Sequence, residues 1–407
     1  MHTVETIMPH HSQLRSPTLQ EKGKNGHFRV YYEHMQKKKI VLLYFDEGGH
    51  KSLAEATQEA VKQYDGDTCE IIPFAPKLPT FMFEPYRFFA SDFQEGWGIM
   101  YKATDRTQLA KLSARLFQTL TRSEIRTMVR QIRPDAIGTN ASLLTSVALS
   151  IASRSHIPSF LMVADPFTLH RTWLMSKNFN QYIAPTREVM QQLAAFGIDT
   201  QKITTVRWPI RSQFLAKPQE KPILRSRFGL NPDLFTIFVG GSVNGGVHVI
   251  DFIHSLEQTI LDPIQLIIVT GRNQSLYHQL TMTKFQSHIH SHIFEYIDSI
   301  ADLISCSDIV VGKAGPNSLF ESITLHVPFI VPDTLPGQED GNSDFIRKNQ
   351  LGYVCSSVQE SVTHIKTLIH NPAIYTQLVD ATYRVAPTIA FQAERLSHTL
   401  HTLVEKK

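Results

Sequence analysis

Residues 311–346 concentrate hydrogen-bonding groups at the ends of short apolar segments. The stretch VGKAGPNSLFESITLHVPFIVPDTLPGQEDGNSDFI predicts a strand, a turn, a helix near Pro316, a second strand and a loop. Amide groups at the start of a helix bind anions, which suits a diphosphate. Glu321, about one turn into the helix, could bind two vicinal hydroxyls such as those of a ribose. Gln338 and Glu339 offer a carboxamide and a carboxylate, which suit the hydroxyls of a hexose. The segment therefore predicts sites for phosphate, ribose and sugar in sequence.

Two glycine-rich turns also follow apolar strands. In FDEGGHKS, His50 opens a helix, where it could act as a base or as a hydrogen-bond donor. In FVGGSVNGGVHVI, Gly241, Asn244 and Gly245 stand between a strand and a helix, the place of a phosphate-binding turn. Neither this turn nor GKAG at 312–315 is a P-loop, since neither ends in the required Lys-Ser/Thr pair.

Alternating strands and helices must position these residues. The first series of apolar runs is KIVLLYF, TCEIIPF, AIGTN, SFLMVAD, QYIAP and ITTVRW. A segment rich in proline and charge interrupts the pattern near residues 210–222. The second series is LFTIFVGG, IQLIIVTG, IFEYID, DIVVGKAG, PFIVPD and GYVCS. Such alternation predicts two parallel sheets built from βαβ units, and ligands bind at the carboxyl ends of such strands.

The length of 407 residues exceeds one ordinary core, so we expect two main domains. We predict a polar leader over 1–38, a first domain over 39–212, a second over 213–385 and a helix over 386–407. The last helix is amphipathic and is expected to pack back toward the first domain. The three cysteines form no paired spacing, which argues against a disulfide framework and fits a reducing compartment. No apolar run reaches the length of a membrane span, and the leader has no signal-peptide core.

Charge and aromatic content distinguish the first half of the chain. Residues 1–207 hold 25 Lys and Arg against 19 Asp and Glu, a balance of +6, whereas the rest holds 15 against 18, a balance of −3. A basic half could meet an anionic lipid surface, or it could be ordinary solvated charge. The segment 74–101 is crowded with aromatic residues, which predicts either insertion beside a lipid acceptor or a packed loop. The residues assigned to this acceptor and membrane region are Phe81, Phe83, Phe88, Phe89 and Trp97.

Two groups of residues could suggest a metal site. The Asp65-Gly66-Asp67 triplet looks like a metal-binding D-x-D, but it stands before a strand and reads as a turn. His288, His290 and His292 alternate, and the simpler interpretation is a solvated segment. We predict no metal ligand.

The motifs, taken in order, resemble the diacylglycerol glycosyltransferases, which include monogalactosyldiacylglycerol synthase and processive diacylglycerol glucosyltransferases. The pattern of that family is similar to K-A-G-P/G-G-T, then E-A, then P-G-Q-E-x-x-N. Here the chain reads KAGP from Lys313, ES from Glu321 and PGQEDGN ending at Asn342. YFDEGGHKSLAEA and FLMVADPFTLHRTW also resemble family segments, and the second places Asp165 at the family's aspartate. An Asn-Ser pair beginning at Asn317 replaces a Gly-Thr type pair.

The resemblance implies a GT-B fold, with two facing Rossmann-like, doubly wound parallel-sheet domains and a cleft between them. The first domain would bind the acceptor and the second a UDP-sugar, without a metal. It implies inversion by single displacement, with His50 or Asp165 as the base. The donor-binding residues are expected to be Gly241, Asn244, Gly245, Arg272, Tyr296, Ile297, Lys313, Ala314, Gly315, Pro316, Asn317, Ser318, Glu321, Gln338, Glu339 and Asn342.

The expected reaction moves glucose or galactose from UDP-glucose or UDP-galactose to a diacylglycerol-like lipid. The enzyme would act at an anionic membrane surface, on its cytoplasmic face, and would bind no nucleic acid. Three alternatives remain from the sequence. They are a UDP-sugar transferase with a soluble acceptor, an epimerase or hydrolase of nucleotide sugars, and an inactive sugar-nucleotide-binding module.

Overall fold

The structure is a computed structural model. It describes residues 19–22, 28–31, 37–46, 49–78, 94–105, 107–216, 219–240, 249–297, 299–334 and 336–405.

Six parallel strands form the sheet of the first lobe, in the order β4-β3-β5-β6-β7-β8. Strand β3 lies inside this sheet, and Ile40 to Leu43 are fully buried because helices cover both faces of the sheet. These strands are β3 (Lys38–Leu43), β4 (Cys69–Phe74), β5 (Ala136–Thr139), β6 (Ser159–Met162), β7 (Gln181–Ala184) and β8 (Ile203–Thr205).

Six further parallel strands form the second lobe, in the order β11-β10-β9-β12-β13-β14. These strands are β9 (Phe235–Val239), β10 (Ile264–Val269), β11 (Ile289–Phe294), β12 (Ile309–Val311), β13 (Phe329–Val331) and β14 (Gly352–Val354). Ten of the twelve strands lie within the apolar runs selected from the sequence, and β3 begins one residue before its run, which confirms the predicted doubly wound architecture. Strand β11 begins four residues before the predicted run IFEYID. It includes His290 and His292, so the prediction of a solvated segment before the strand is wrong for these two residues. The leader also contains an antiparallel pair that its polar sequence did not predict, β1 (Leu19–Lys22) and β2 (Phe28–Tyr31).

Helices alternate with the strands. In the first lobe and the linker they are α1 (His50–Tyr64), α2 (Gln94–Thr104), α3 (Thr107–Ile132), α4 (Thr145–Ser155), α5 (Arg187–Ala195) and α6 (Ser212–Leu215). The later helices are α7 (Lys221–Arg227), α8 (Val249–Thr259), α9 (Gln274–Met282), α10 (Ile300–Ser305), α11 (Pro316–Thr324), α12 (Asp340–Asn349), α13 (Val358–His370), α14 (Pro372–Ile389) and α15 (Ala393–Glu405). Among the described helices, none combines the length and apolarity needed to cross a bilayer.

One hydrophobic cluster connects the two lobes. It runs from Ile40 of the first sheet, through Trp208 and Phe214 of the linker, to Phe238 and Phe329 of the second sheet. The two lobes are therefore held against each other by buried apolar contacts as well as by the chain that joins them.

The last helix returns to the first lobe and lies against α1. The Ser397 hydroxyl donates to Oδ2 of Asp65 at 2.5 Å, and Nδ1 of His401 lies 3.2 Å from Oδ1 of the same residue. Asp65, considered above as part of a metal-binding triplet, thus anchors α15 in the turn after α1.

Candidate functional site

The order of the strands in each sheet shows where a ligand-binding cleft is expected in each lobe. In the first sheet the chain moves outward from β3 in both directions, to β4 on one side and β5 on the other. In the second sheet β9 has the same role, between β10 and β12. Ligands of doubly wound sheets bind at these switch points, outside the carboxyl ends of the strands. His50 and Asn140 lie at the first switch point, and the turn at 312–315 lies at the second.

The start of α11 has the features of an anion-binding turn. Gly315 is the N-cap of α11, and no side chain caps the helix. The first amides of a helix have no partner within it, so those of Asn317 and Ser318 face the cleft as donors. The aliphatic part of the Lys313 side chain passes over Gly315, where a Cβ atom would lie 3.5 Å from Cε of Lys313. This turn, residues 312–318, could hold a diphosphate between helix amides and an ammonium group, and we call it the phosphate turn.

Glu321 is buried one turn further along α11. Its Oε1 accepts from Nη2 of Arg211 at 2.9 Å, and Nη1 of Arg211 lies 3.9 Å from Oε2 of Glu55. Desolvation raises the pKa of Glu321 to about 7, and Arg211 opposes that rise. Glu321 is placed to bind hydroxyls near the phosphate turn, with its charge compensated by the linker.

The loop between β13 and α12, residues 332–339, carries the predicted sugar-binding pair. Oε1 of Gln338 is buried and has no hydrogen-bond partner among the described residues, which suits an external donor such as a hydroxyl. Glu339 is 3% exposed. Nδ2 of Asn342 donates to the carbonyl oxygen of Ala314 at 2.7 Å. Asn342 thus joins α12 to the phosphate turn through a contact within the protein.

The remaining donor candidates lie at neighbouring strand ends. Arg272 is exposed in the turn after β10. Tyr296, which follows β11, is 65% exposed, whereas Ile297 packs against the cluster that joins the lobes. These residues follow β10 and β11, and β9 lies between those strands and β12, which leads into the turn at 312–315.

Two hydrogen bonds join His50 to Asn140. Nδ1 of His50 lies 2.8 Å from the carbonyl oxygen of Asn140, and Nδ2 of Asn140 donates to the carbonyl oxygen of His50 at 2.8 Å. A carbonyl oxygen only accepts, so Nδ1 carries the proton and Nε2 keeps its lone pair. Burial lowers the pKa of His50 to about 4. The ring is therefore a neutral acceptor at physiological pH, as a general base must be.

Asp165 follows β6 and belongs to a different group of side chains. Its Oδ2 accepts from Nε1 of Trp173 at 2.6 Å. Desolvation raises the pKa of Asp165 to about 6, while Trp173 and His170 oppose the rise. The ring of His170 lies against that of Tyr101 with centroids 4.5 Å apart. Burial and the charge of Asp165 raise the pKa of the Tyr101 phenol, which stays neutral.

Asn317 connects the phosphate turn to the opposite lobe. Its Nδ2 donates to the carbonyl oxygen of Gly49 at 3.0 Å, and its Oδ1 accepts from Nε1 of Trp208 at 3.0 Å. Gly49 directly precedes His50, so one carboxamide ties the base candidate to the diphosphate helix. We call this the phosphate-side contact.

A second contact joins the lobes at the 332–339 loop. A Cβ atom on Gly337 would lie 2.8 Å from the Tyr101 ring, and one on Gly341 would lie 2.7 Å from Cβ of Phe167. Phe167 also stacks on Phe345 of α12, with centroids 4.8 Å apart. We call this the sugar-side contact, and Asp165 lies beside it.

Several predicted residues fall outside the described part of the chain. They are Gly241, Asn244, Gly245, Phe81, Phe83, Phe88 and Phe89. Trp97 is in α2, but its side chain is also outside the description. These assignments stay predictions.

Comparisons with known proteins agree with this arrangement. Residues 50–210 match the family model described as monogalactosyldiacylglycerol (MGDG) synthase. Residues 236–364 match the model described as the glycosyltransferase family 28 C-terminal domain. The chain is a glycosyltransferase of this type.

Individual relatives extend the family match over most of the chain. A probable monogalactosyldiacylglycerol synthase of Glycine max is 24% identical over 389 residues, which cover 91% of this chain and 72% of that protein. Monogalactosyldiacylglycerol synthase 2 of Arabidopsis thaliana is 24% identical over 341 residues, and this match covers 80% of this chain and 72% of that protein.

Solved structures establish the fold as GT-B. Anabaena HepE in complex with UDP-glucose superposes with a TM-score of 0.57 at 14% identity, covering 91% of this chain and all of that one. Acinetobacter baumannii MurG gives 0.56 at 14% identity, with the same coverage. The predicted GT-B fold is thus confirmed.

The candidate site also includes residues that the sequence analysis did not select. They are Tyr101, Asn140, Trp173, Trp208 and Arg211. Asn140 could have been found, because it ends the run AIGTN at the carboxyl end of a strand. Trp173 could also have been found, because it lies eight residues after Asp165 in the segment FLMVADPFTLHRTW. Tyr101, Trp208 and Arg211 make their contacts with distant parts of the chain, and no local motif marks them.

One group of side chains in the described residues has the spacing of metal ligands. It comprises Cys355, Glu360 and His364, whose ligand atoms lie within 4.8 Å of one another. Oε2 of Glu360 already accepts from the amide and hydroxyl of Ser356, both at 2.7 Å, at the start of α13. This carboxylate therefore completes a helix cap.

Proposed function

We propose that the protein transfers a hexose from a UDP-sugar to a diacylglycerol-like lipid, with inversion at the anomeric carbon. The observation that supports this most directly is the phosphate-side contact. In this contact Asn317, at the start of α11, donates to the carbonyl oxygen of Gly49 at 3.0 Å, and Gly49 directly precedes the neutral His50. A base that faces a diphosphate site is the arrangement that transfer from a nucleotide sugar needs.

The donor would lie along α11 and the 332–339 loop. The diphosphate would bind the amides of Asn317 and Ser318 and the ammonium group of Lys313, and Glu321 would bind the ribose. Gln338 and Glu339 would hold the hexose hydroxyls. The proposal of UDP draws on the structural neighbours, since the HepE structure contains UDP-glucose and the S. aureus MnaA structure contains UDP.

The reaction needs one proton acceptor and one stabilised leaving group. In our proposal the acceptor hydroxyl attacks C1 from the face opposite the diphosphate, and its proton moves to Nε2 of His50. The new C1–O bond forms as the bond to the phosphate oxygen breaks, and that electron pair leaves with UDP. The α11 amides and Lys313 stabilise the charge that develops on the diphosphate, and we propose that no metal is needed.

The lipid acceptor is proposed from the relatives. The named relatives are monogalactosyldiacylglycerol synthases, and the matching region here includes the whole acceptor lobe from His50 onward. We propose that the enzyme attaches to the inner face of a membrane without spanning it. Glucose and galactose differ only at C4, so both are candidate sugars.

The test incubates the protein with radiolabelled UDP-glucose or UDP-galactose, with and without dioctanoylglycerol. We expect label in the lipid fraction only when the acceptor is present, and no loss of that label in EDTA. Release of free hexose without an acceptor would favour a hydrolase, and interconversion of the two UDP-sugars an epimerase. Binding of UDP with no turnover on any acceptor would identify a silent binding module. Transfer only to soluble alcohols would contradict the lipid assignment.

A further inference from the structure

Helix α3 (Thr107–Ile132) exposes a line of leucines. Leu112, Leu116 and Leu120 are 64%, 53% and 43% exposed. Their spacing of four residues places them on neighbouring turns of one helix face. Large apolar side chains are seldom left in water as an aligned set, because each could otherwise be buried with a gain in free energy. We call these residues the leucine stripe.

The other face of α3 explains why the stripe points outward. Phe117, Ile125 and Met128 belong to the core of the first lobe, and Ala114 is also buried. The helix is therefore fixed by its own packing, and the leucine stripe is not needed for that packing. No described residue covers the stripe.

Positive charge surrounds the leucine stripe. Helix α3 contains five basic residues and one acidic residue, Glu124. No carboxylate of the described chain forms an ion pair with Lys111, Arg115, Arg122, Arg126 or Arg130.

The arginines of this face are close enough to repel one another. Desolvation and the neighbouring charges of Arg122, Arg154 and Arg130 lower the pKa of Arg126. Four guanidinium groups from α3 and α4 thus share one surface. An anionic partner would relieve their repulsion.

The helix that carries the leucine stripe also contacts the aromatic ring next to the candidate base. Phe117 is on α3 between the turns of Leu116 and Leu120, and its ring lies 5.5 Å from that of Phe45, centroid to centroid. Phe45 in turn meets the His50 ring edge-on at 5.8 Å. Two aromatic rings therefore connect the inner side of α3 with the base.

We propose that the leucine stripe and its arginines form the surface that enters an anionic lipid bilayer, beside the route of the lipid acceptor to His50. This inference rests on the proposed lipid acceptor. A line of leucines bordered by cations that form no ion pair within the described residues matches the chemistry of a lipid headgroup layer above acyl chains. A second copy of the chain would bring like charges together, and a nucleic acid would leave the leucines in water.

The test compares two triple variants with a matched control. Leu112→Gln, Leu116→Gln and Leu120→Gln are combined in one chain, and Arg115→Gln, Arg126→Gln and Arg130→Gln in another. The control combines Leu261→Gln and Met282→Gln, which are 74% and 85% exposed in the second lobe. Binding is measured by cosedimentation with phosphatidylcholine vesicles, with and without phosphatidylglycerol. Circular dichroism melting checks that each variant folds.

We expect the leucine variant to lose about tenfold or more in partitioning to anionic vesicles, and the control to match the original chain. The arginine variant should lose about fivefold per charge on anionic vesicles and little on neutral ones. Vesicle binding unchanged in both variants would overturn the inference. So would a dimer, seen by sedimentation, that only the leucine variant disrupts.

Activity on diacylglycerol in vesicles and on monomeric diacylglycerol distinguishes a failure of this inference from a failure of the proposed function. The leucine variant should lose activity on diacylglycerol in vesicles and keep it on monomeric short-chain diacylglycerol. No transfer to either form by the original chain would contradict the proposed function. Equal activity of variant and original chain on both forms would contradict only the role of the leucine stripe.

Discussion

The phosphate-side and sugar-side contacts join the same two lobes by different physical means. On the phosphate side, one carboxamide spans the gap, and Asn317 bonds both Gly49 and the Trp208 indole. On the sugar side, glycines allow backbone to approach aromatic rings, as Gly337 does at Tyr101 and Gly341 at Phe167. Hydrogen bonds fix direction and distance, whereas packing fixes proximity and excludes water.

This difference assigns separate tasks to the two base candidates. Asn317 bonds Gly49, and Gly49 directly precedes His50, so we expect His50 to lie close to the proposed diphosphate site and to the C1 atom of the sugar. Asp165 lies beside the loop that carries Gln338 and Glu339, and its Oδ2 is already bonded to Trp173. We infer that His50 takes the proton and that Asp165 orients groups at the sugar side.

Substitution of the two candidates gives the largest expected effect. His50→Gln removes the accepting Nε2, and we expect kcat to fall by about 10²–10⁴-fold with little change in donor KM. Asp165→Asn keeps the size and the acceptor for Trp173, so its kcat should fall by about tenfold or less. Steady-state kinetics with UDP-sugar and dioctanoylglycerol measure both. A larger loss in Asp165→Asn than in His50→Gln would reverse the assignment.

The pH dependence of kcat/KM sharpens the same comparison. A base works in its deprotonated form, so activity falls as the pH drops through its pKa. The pKa of His50 is lowered to about 4 and that of Asp165 is raised to about 6. If His50 is the base, kcat/KM at pH 5 should keep about nine-tenths of its value at high pH. If Asp165 is the base, kcat/KM at pH 5 should keep only about a tenth of that value. The Asp165→Asn variant supplies the control, since a limb near pH 6 should vanish in it.

The architecture could be predicted from sequence because its signals are local. Strands such as IVLL of β3 and LIIV of β10 are apolar on both faces, as parallel sheets between helices require. The candidate side chains directly follow these runs, so they meet at the switch points once the strand order is known. His50, Lys313 and Glu321 were found in this way.

The contacts that assemble the candidate site join residues that are far apart in the sequence. Asn317 and Gly49 are 268 positions apart, and Arg211 and Glu321 are 110 apart. Their pairing depends on how the lobes close, which no turn motif encodes. The opposite pKa shifts of His50 and Asp165 likewise come from burial, a property of the folded lobe. Asn317 looked like a departure from the family motif, and only the fold gives it a contact with Gly49.

Substitution of Glu321 tests whether this residue binds the ribose of the donor. Glu321→Ala should raise the donor KM by about tenfold or more, since hydrogen bonds to a carboxylate are lost, while kcat changes less. Because the pKa of Glu321 is raised to about 7, we also expect the donor KM to rise as the pH falls through that value and the carboxylate is protonated. The Glu321→Gln variant should not show this rise.

The matched control for Glu321 is Glu55→Gln. Glu55 is the other carboxylate near Arg211, at 3.9 Å, and it lies on α1. If Glu55→Gln raised the donor KM as much as Glu321→Ala, the effect would come from Arg211 and not from the ribose. An unchanged KM in Glu321→Ala would remove it as a ribose ligand.

The smallest expected effect concerns the carboxamide that connects the lobes. Asn317→Ala removes both bonds, whereas Trp208→Phe removes one and keeps the ring stack on Phe320, whose centroid lies 5.5 Å from that of Trp208. At about 0.5–1.5 kcal/mol per hydrogen bond, we expect kcat/KM to fall about two- to tenfold in Trp208→Phe and further in Asn317→Ala.

Asn317→Asp separates a connecting role from simple space-filling. It keeps the acceptor for the Trp208 indole but cannot donate to the Gly49 carbonyl oxygen, and it adds negative charge beside the diphosphate. We therefore expect its donor KM to rise above that of Asn317→Ala, although its volume is close to the original. If Asn317→Ala matched the original chain in both kcat and KM, the packed sugar-side contact alone would hold the cleft, and the hydrogen bonds of Asn317 would contribute nothing to placing His50.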